Sequence, residues 1–370
     1  MSDTLPHITA DKRFFVDPYL DWCAAEGLPL TEDFCIDLNA LETAPWKRLG
    51  GRGGFAHLKG RGDLVSVFVV EIAPSGKSAP QKHLYEEVFY VLQGYGSTEL
   101  EDAAGRKHSF EWGPRSLFAL PLNAPYRLFN GSGSAPARLT STNNLPMMMN
   151  AFRNERFIFD NGEQFAEREG PGGYFAGEGE FVPAYGGRAM WESNFIRDLG
   201  SFDLPRMSSR GAGAGNMVFS MAEGTMHAHC SEMPVGTYKK AHRHGTDYHV
   251  CIVRGTGYSL FWYEGDEDFL RYDWHEGCIF APTDMILHQH FNTAADPVRY
   301  LATAYGSGRY PFSEEKRRIK MGLDVSVKLG GRQVEYEDQD PRIHRIYLAE
   351  LAKHGVKSRM EELLNQKIPV

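Results

Sequence analysis

Histidine residues are concentrated in the second half of the chain, in a pattern that could bind a metal ion. Eight of the 14 histidines lie between positions 227 and 290. Six of them form three H-x-H pairs: His227 with His229, His242 with His244, and His288 with His290. Residues two apart on a β-strand project to the same face, so both imidazoles of a pair can reach one ion. Because imidazole nitrogen is a common ligand of divalent transition metals, this spacing indicates a candidate metal site.

Two of these pairs are candidates for one shared ligand set. A pair from one strand and a single histidine from a distant strand would together bind one face of an ion. The other coordination positions would stay open for water, O2 or a substrate. We therefore consider His242 and His244 together with a histidine of the 288/290 pair. For His227 and His229 we expect an ordinary pair of strand histidines that face solvent or a polar pocket.

The elements that must position these histidines are revealed by an internal repeat. The segment YEEVFYVLQGYGSTEL resembles TDYHVCIVRGTGYSLFW, and their matching glycines are Gly94 and Gly255. A second pair of similar segments ends at Asn130 and Asn292. The offset between the asparagines agrees with the offset between the glycines to within one position. Two blocks in the same order and at the same offset indicate a duplicated domain.

The runs within each copy are short, apolar and separated by Gly, Pro, Asn and Asp, which is typical of antiparallel strands joined by turns. We therefore predict an all-β fold with two tandem jelly-roll barrels. The predicted parts are an N-terminal arm with a short helix near DPYLDWCAAEG (1–55), barrel 1 (56–150), a connector (151–215), barrel 2 (216–310) and a C-terminal strand and helix tail (311–370).

Two further elements bear on assembly. In the tail, Ile343, Ile346, Tyr347 and Leu351 recur at helical spacing, which predicts an amphipathic helix over residues 341–364 that docks on the chain or on a neighbouring subunit. The arm is rich in aromatic residues, which predicts a homodimer or larger homo-oligomer. In the alternative, these aromatics cover the chain's own barrel. They are Phe14, Phe15, Tyr19 and Trp22.

Composition excludes several classes of protein. The chain has 40 Lys and Arg against 48 Asp and Glu, a formal net charge of −8, which argues against nucleic-acid binding. No apolar stretch approaches the roughly 20 residues that span a bilayer, so no membrane partner is expected. No signal peptide is visible, and the five cysteines form no CxxC pair, so we expect a reduced, cytoplasmic location.

The motifs around the histidines resemble those of a known superfamily. The spacing G-x5-H-x-H from Gly236, followed by P…H-x3-N from Pro282 through His288 to Asn292, resembles the two motifs of the cupins. The same skeleton in the first repeat makes the chain similar to a bicupin. The resemblance covers roughly residues 60–135 and 220–305. It implies small β-barrels that hold a metal ion with three histidines and one glutamate.

The second repeat departs from that ligand set. Tyr248 stands where the family has its glutamate, so the resemblance implies three ligands, His242, His244 and His288. Cupins with three histidines and no glutamate include the gentisate and salicylate dioxygenases, which this repeat resembles. Those enzymes carry the complete triad in their first barrel, whereas this chain has it in the second.

Two neighbouring histidines remain alternatives to His288. By strand alternation, His249 should point away from the side that Tyr248 faces, unless a β-bulge re-aims it. One extra residue separates Pro282 from His288, which leaves His290 as a less favoured third ligand. Whether either of them joins or replaces His288 is open at this point.

In the first repeat the four ligand positions are degenerate. They hold Gln81, His83, Glu87 and Tyr126. Gln and Tyr are weak substitutes for imidazole toward a divalent metal. We interpret barrel 1 mainly as a structural partner in which His83 and Glu87 are hydrogen-bonded inside the barrel, with metal binding there as the alternative.

Three neutral imidazoles leave a bound divalent ion positively charged, with positions for an anionic chelate and for O2. We therefore predict an enzyme, a non-haem Fe(II) dioxygenase, that acts on a small hydroxybenzoate-like or dicarbonyl acid. Tyr248 is the candidate acid–base or orienting group, or else a buried aromatic that fills the barrel. The alternatives are an isomerase, decarboxylase or lyase with one Mn, Ni or Zn ion, and a non-catalytic bicupin that binds a small molecule.

Overall fold

A computed structural model describes residues 16–184, 188–245, 247–310 and 322–364. The described α-helices are α1 (Pro18–Glu26), α2 (Leu145–Phe152), α3 (Glu155–Phe159), α4 (Pro341–His354) and α5 (Met360–Leu364). The first strands are β1 (Leu30–Asp33), β2 (Cys35–Asp37), β3 (Ala44–Trp46), β4 (Gly51–Leu58), β5 (Ser66–Ile72), β6 (Glu87–Gln93), β7 (Gly96–Glu101), β8 (Lys107–Trp112), β9 (Leu117–Ala119), β10 (Tyr126–Asn130) and β11 (Ala137–Asn143). They are followed by β12 (Glu180–Pro183), β13 (Ala189–Glu192), β14 (Phe195–Ile196), β15 (Gly215–Ser220), β16 (Met226–Met233), β17 (Ala241–His242), β18 (His249–Arg254), β19 (Gly257–Trp262), β20 (Leu270–Trp274), β21 (Cys278–Phe280), β22 (Leu287–Asn292), β23 (Val298–Tyr305) and β24 (Gln333–Val334).

The strands form two sandwich-like barrels, as the sequence predicts. In barrel 1, an eight-stranded sheet of order β1-β4-β5-β11-β6-β9-β14, with β3 beside β4, accompanies a three-stranded sheet of order β10-β7-β8. In barrel 2, an eight-stranded sheet of order β12-β13-β15-β16-β23-β18-β21-β2 accompanies a five-stranded sheet of order β20-β19-β22-β17-β24. Alternate side chains along each large sheet therefore face the interior of its own barrel or the outside.

The repeat extends to individual backbone contacts. Gly94 and Gly255 both have positive φ, 88° and 90°. A Cβ atom at Gly94 would lie 2.8 Å from Ala137 Cα, and one at Gly255 would lie 2.6 Å from Val298 Cγ2. Only glycine fits both turns, because it combines positive φ with close approach of the next strand. The duplicated all-β fold is therefore confirmed.

The two asparagines of the repeat hold the same turn in each barrel. The Asn130 amide donates hydrogen bonds to three backbone carbonyls, at 2.9 to 3.1 Å. The Asn292 amide does the same, at 3.0 to 3.1 Å. Each asparagine thus satisfies carbonyls that a turn leaves without a strand partner.

The two barrels pack through their large sheets. Val67 and Val69 of β5 face a core that they share with Cys230 of β16 and Cys251 of β18, all at most 5% exposed. The residues between them on each strand, such as Phe68, face the interior of the barrel instead. A continuous apolar layer therefore joins the barrels.

Each barrel also donates an edge strand to the other. Strand β2, from the N-terminal arm, pairs antiparallel with β21 of barrel 2. Strand β14, from the connector, pairs antiparallel with β9 of barrel 1. This exchange was not predicted from the sequence, because strands of two or three residues carry almost no periodicity.

The helices settle two of the sequence expectations. Helix α1 begins after Asp17, whose carboxylate caps it, and it buries Tyr19 and Trp22 in the core of barrel 1. These two aromatics therefore cover the chain's own barrel, while Phe14 and Phe15 lie outside the described residues. None of the helices in the described ranges is both long and apolar enough to cross a membrane.

The tail forms two helices instead of the single one that the spacing predicts. Helix α4 ends at Gly355, which has φ of 67° and caps the last turn. Ile343, Tyr347 and Leu351 are at most 1% exposed and pack against the five-stranded sheet of barrel 2. The helix thus docks on the chain itself.

Candidate metal centre

Three histidines converge inside barrel 2. His242, His244 and His288 each offer one nitrogen, and these nitrogens lie within 4.8 Å of one another. The ring centres of His288 and the other two are 4.2 Å and 4.6 Å apart. All three side chains are at most 7% exposed. Within the part of the chain that the structure describes, this is the one cluster of three or more ligand side chains with such spacing.

Strand pairing places these histidines. His242 on β17 lies directly opposite His288 on β22. His244 continues the alternation beyond the end of β17, and its carbonyl accepts a hydrogen bond from the Met285 N–H at 2.9 Å. Gln289, between the two histidines of β22, points to the other side of the sheet, where it donates to the Lys239 carbonyl at 2.7 Å. The period-two spacing of the sequence therefore does position the triad.

Backbone carbonyls orient the three rings. The Nδ1 atoms of His242, His244 and His288 lie 3.4, 2.8 and 3.0 Å from carbonyl oxygens of neighbouring residues. A proton on Nδ1 leaves Nε2 with its lone pair available. Carbonyl partners of this kind commonly fix the tautomer of metal-binding histidines.

Burial also keeps the triad neutral. Desolvation is the main cause that lowers the pKa of His244 to about 4. Desolvation, followed by nearby positive groups such as Arg210, lowers the pKa of His242 well below its ordinary value. The pKa of His288 is lowered well below its ordinary value by desolvation and by His244. A neutral imidazole is the form that binds a metal ion.

The other sequence candidates divide into two groups. Tyr248 lines the same cavity, with its ring centre 4.2 Å from that of His244. His290 also lines the cavity, and its Nδ1 lies 2.8 Å from Ser259 Oγ, but it stands outside the triad. His249 is fully buried and follows the alternation away from the cavity, with its Nδ1 3.2 Å from the Asp247 carbonyl. Strand alternation thus predicted the direction of His249.

Further polar side chains line this cavity, which measures about 30 Å³; the polar-pocket alternative for His227 and His229 holds, whereas the two arginines were not predicted. His227 and His229 line it, with His227 Nε2 2.8 Å from His229 Nδ1, so they face the polar pocket of barrel 2. Arg188 and Arg210 line it as well, although they lie in the predicted connector. The alternating polar residues in MHAHCS were a usable signal for the histidines, whereas no local pattern marks the arginines.

The surroundings of the cavity are electropositive. Asp324 accepts hydrogen bonds from Arg188 at 2.9 and 3.0 Å, and its Oδ1 lies 3.2 Å from Arg210 Nε. Lys239 is 2% exposed, and burial, followed by Arg210 and Arg188, lowers its pKa to about 7. A ligand with negative charge would therefore be favoured in this cavity.

Comparisons with known proteins support this architecture. No family model matches the chain. An oxalate decarboxylase from Lactobacillus farciminis, solved as a formate complex, aligns over 80% of this chain and 95% of its own, with 11% identity and a TM-score of 0.50. The chain has the bicupin fold.

Curated relatives match part of the bicupin. Auxin-binding protein 4 of Zea mays is 28% identical over 140 residues, which cover 34% of this chain and 69% of that protein. Auxin-binding protein T85 of Nicotiana tabacum is 26% identical over 119 residues, or 29% of this chain and 59% of that protein. Both alignments thus leave most of the bicupin unmatched.

Barrel 1 of the bicupin uses its degenerate positions for internal hydrogen bonds. His83 Nε2 lies 2.8 Å from Glu87 Oε1, and Tyr126 donates to the same oxygen at 2.5 Å. The Ser141 hydroxyl donates to Glu87 Oε2 at 2.6 Å. Gln81 turns away and donates to three backbone carbonyls. The interpretation of His83 and Glu87 as hydrogen-bonded inside the barrel is confirmed.

Proposed function

We propose that the protein is a metal-dependent enzyme that acts on a small organic acid inside barrel 2. The observation that supports this most is the convergence of three neutral, buried histidines whose nitrogens lie within 4.8 Å of one another. Among the described residues, the Nε2 atoms of these histidines make no hydrogen bond, while each Nδ1 has a carbonyl beside it. Three converging lone pairs without a hydrogen-bond donor among the described residues fit one divalent ion.

His242, His244 and His288 would hold the ion, and the described residues place no carboxylate among them. A bound divalent ion supplies Lewis-acid activation of an acid and, as Fe(II), redox chemistry with O2. Three neutral ligands leave the charge of the ion uncompensated, which favours a chelating anion as substrate. We propose Fe(II) as the first candidate metal because it supplies redox chemistry with O2. Mn, Ni and Zn are the alternatives.

The cavity favours a small substrate. An engineered protein cavity of about 150 Å³ binds benzene, whereas this one measures about 30 Å³. Of the two acid classes that the sequence predicts, a dicarbonyl acid therefore fits better than a hydroxybenzoate. Tyr248 would orient such a substrate, because its ring lies beside His244 and at the cavity wall.

The first candidate reaction is cleavage of the acid by O2, which is the chemistry of the three-histidine cupins that the second repeat resembles. Here the residues of the chain bind and orient the acid, exclude bulk water and hold the protons. Tyr248 is the acid–base candidate that the sequence predicts, and its ring centre lies 4.2 Å from that of His244. Its hydroxyl would hold a proton beside the substrate.

The second candidate is decarboxylation without net oxidation. The fold likeness to an oxalate decarboxylase favours it. Both reactions use a small anionic substrate, so the cavity does not separate them. A proton donor is then required where the carboxylate leaves, and Tyr248, the acid–base candidate, lines the same cavity.

The experiment is an elemental analysis of anaerobically purified protein, followed by O2 uptake and CO2 release with small dicarbonyl and dicarboxylic acids. About one Fe per chain with substrate-dependent O2 uptake supports the dioxygenase. CO2 release without O2 uptake, with bound Mn, Ni or Zn, supports the decarboxylase. Protein that binds none of these metals after reconstitution, yet retains a small acid, would overturn the enzyme proposal in favour of a binding protein.

A further inference from the structure

The wall of the barrel 2 cavity concentrates positive charge. The side chains of Arg188 and Arg210 line the cavity and are 6% and 11% exposed. Lys239 stands behind the cavity wall, with Nζ 5.6 Å from the ring centre of Tyr300, which also lines it. Buried charges in proteins are normally paired with opposite charges, because desolvation is costly.

One carboxylate of the described residues lies among these cations. Asp324 bridges Arg188 and Arg210. Of the residues that the structure describes, none forms an ion pair with Lys239. Among the described residues, the carboxylate of Asp324 is therefore the one negative charge paired with this group of cations. A divalent ion on the nearby histidines would add to the positive charge. A ligand could supply the missing negative charge.

The fold itself does not require Arg210. The Lys240 N–H donates to the Arg210 carbonyl at 3.0 Å, and in barrel 1 the Ala79 N–H donates to the Leu49 carbonyl at 2.7 Å. Arg210 and Leu49 are related by the same offset as the repeat glycines and thus occupy the same place in the two barrels. Barrel 1 fills this place with an apolar side chain, which is buried.

The same holds for Lys239. Its N–H donates to the His290 carbonyl at 3.0 Å, and the Ser78 N–H donates to the Leu128 carbonyl at 2.8 Å. Barrel 1 thus has a serine where barrel 2 buries a lysine. A buried charge that the equivalent barrel does without is best explained by a ligand.

We propose that Arg188, Arg210 and Lys239 form an anion-binding subsite beside the histidine triad, and that the ligand is a dianion such as a small dicarboxylate. One anionic group faces the triad. The second takes the place of Asp324 between the two arginines. The proposal deepens the proposed function by naming the substrate class, and its subsite does not depend on the identity of the metal.

Geometry places the subsite next to the triad. Arg210 Nη1 donates to Gln333 Oε1 at 3.3 Å, and Gln333 on β24 lies opposite His242 on β17. Arg188 Nη2 donates to both oxygens of Asp324, at 2.9 and 3.0 Å. A guanidinium group also offers parallel N–H donors that match the two oxygens of a carboxylate. A ligand carboxylate can therefore take the place of that of Asp324.

The test is calorimetric titration with malonate, a dianion, and with acetate, a monoanion, on metal-free and metal-loaded full-length protein. Arg210→Leu introduces the side chain that barrel 1 has at this place. Asp324→Asn removes the internal competitor while keeping the shape. Arg52→Leu, at an exposed position of β4 in barrel 1, is the matched control for losing an arginine. Thermal melting and metal content are measured for each variant.

We expect Arg210→Leu to weaken malonate binding at least 30-fold and acetate binding less than threefold, with metal content unchanged. We expect Asp324→Asn to tighten malonate binding about fivefold, and Arg52→Leu to change nothing. If Arg210→Leu does not fold, Lys239→Met replaces it, with an expected weakening of about tenfold.

Two results would overturn the subsite: malonate binding within twofold of wild type in the folded Arg210→Leu or Lys239→Met variant, or weaker malonate binding in Asp324→Asn. The second result would mean that Asp324 only holds the arginines in place. The metal-free titration separates this proposal from the proposed function. Wild type that binds no metal but binds malonate through Arg210 would overturn the metal enzyme and support the subsite.

Discussion

Barrel 1 and barrel 2 share a frame but fill it with opposite kinds of side chain. The asparagine of the repeat makes three equivalent hydrogen bonds in each. Inside that frame, Phe68 and Leu128 of barrel 1 occupy the places of His229 and His290 in barrel 2, and both are at most 1% exposed. The polar interior of barrel 2 is therefore not needed to make the fold.

The ligand positions differ in how their nitrogens and oxygens are used. In barrel 1, His83 Nε2 is bound to Glu87, which also accepts from Tyr126 and Ser141. In barrel 2, the Nε2 atoms of the triad lack such partners among the described residues. A histidine whose hydrogen bonds are complete is structural, whereas one with an oriented, unused lone pair is available to a ligand.

The largest effect is expected when barrel 2 receives the residues of barrel 1. His242→Gln and His288→Tyr should each weaken metal binding by roughly 1,000-fold, because each ligand contributes several kcal/mol. Metal content per chain, measured after dialysis against a weak chelator, checks this. His83→Gln makes the same kind of change in barrel 1 and should leave the metal content unaltered. A loss of metal in His83→Gln would contradict the assignment of barrel 1 as structural.

The next effect concerns the stability of barrel 1. Glu87→Ala removes the acceptor of three buried donors and should lower the free energy of unfolding by about 3 kcal/mol. Glu87→Gln keeps one acceptor and should lose about half as much. Urea denaturation of both variants measures the difference, with metal content expected to be unchanged. A loss below about 1 kcal/mol in Glu87→Ala would show that these hydrogen bonds matter little.

A third difference lies where the barrels meet. Asp247 of barrel 2 accepts from the Leu64 N–H at 3.1 Å, and at the equivalent place Glu86 of barrel 1 accepts from the Thr225 N–H at 2.8 Å. Glu86 also has an ion pair with Arg168, whereas Asp247 Oδ1 is buried without a hydrogen-bond partner among the described residues. Desolvation accordingly raises the pKa of Asp247 to about 6.

This difference predicts a stability that depends on pH. The pKa of Asp247 is higher in the folded state, so protonation of this carboxyl group stabilises the folded protein. This contribution to the free energy of unfolding is lost as pH rises through about 6. Asp247→Asn should therefore stabilise the protein at pH 8, by about 2 kcal/mol, with the gain vanishing near pH 4. Urea denaturation at both pH values measures it. Glu86→Gln should instead destabilise the protein at pH 8, because Arg168 loses its partner.

The smallest effect is expected for the ion pair across the barrels. Arg115 and Glu276 lie at equivalent places of the two repeats; their side chains are 3.0 Å apart and 38% and 48% exposed. Exposed pairs of this kind contribute little, so Arg115→Ala should lower the free energy of unfolding by less than about 1 kcal/mol. Urea denaturation in low and high salt checks this. A decrease in the free energy of unfolding well above about 1 kcal/mol would contradict this. It would mean that this ion pair contributes more than the apolar layer to holding the barrels together.

The sequence was sufficient for the features that depend on local spacing. The repeat predicted two barrels, and the H-x-H alternation predicted that His242 and His244 share a face and that His249 points away from it. The cupin resemblance, applied to the first repeat, also predicted that His83 and Glu87 are hydrogen-bonded inside barrel 1. Each of these inferences needs only the period of a strand and one reference residue.

The parts that sequence did not reveal are brought together from distant segments. Arg188 and Arg210 come from the predicted connector and Asp324 from the tail, and nothing near them in the chain marks a cavity. The tail was predicted as one helix over residues 341–364, but the positive φ of Gly355 ends α4. Long-range packing brings Arg188, Arg210 and Asp324 together, and the left-handed backbone of Gly355 ends the helix. Neither follows from the spacing of residues along the chain.

The exchanged edge strands set an order for assembly during synthesis. Asp37 of β2 lies opposite Cys278 of β21, and almost two thirds of the chain separates them. At the usual rate of roughly 5–20 residues per second, β2 waits between roughly 10 and 50 seconds for its partner to be made. Barrel 1 likewise leaves the ribosome with the edge of β9 uncovered until β14 follows. Newly made chains therefore expose an unpaired strand edge, the kind of surface that chaperones shield, until both halves have been translated.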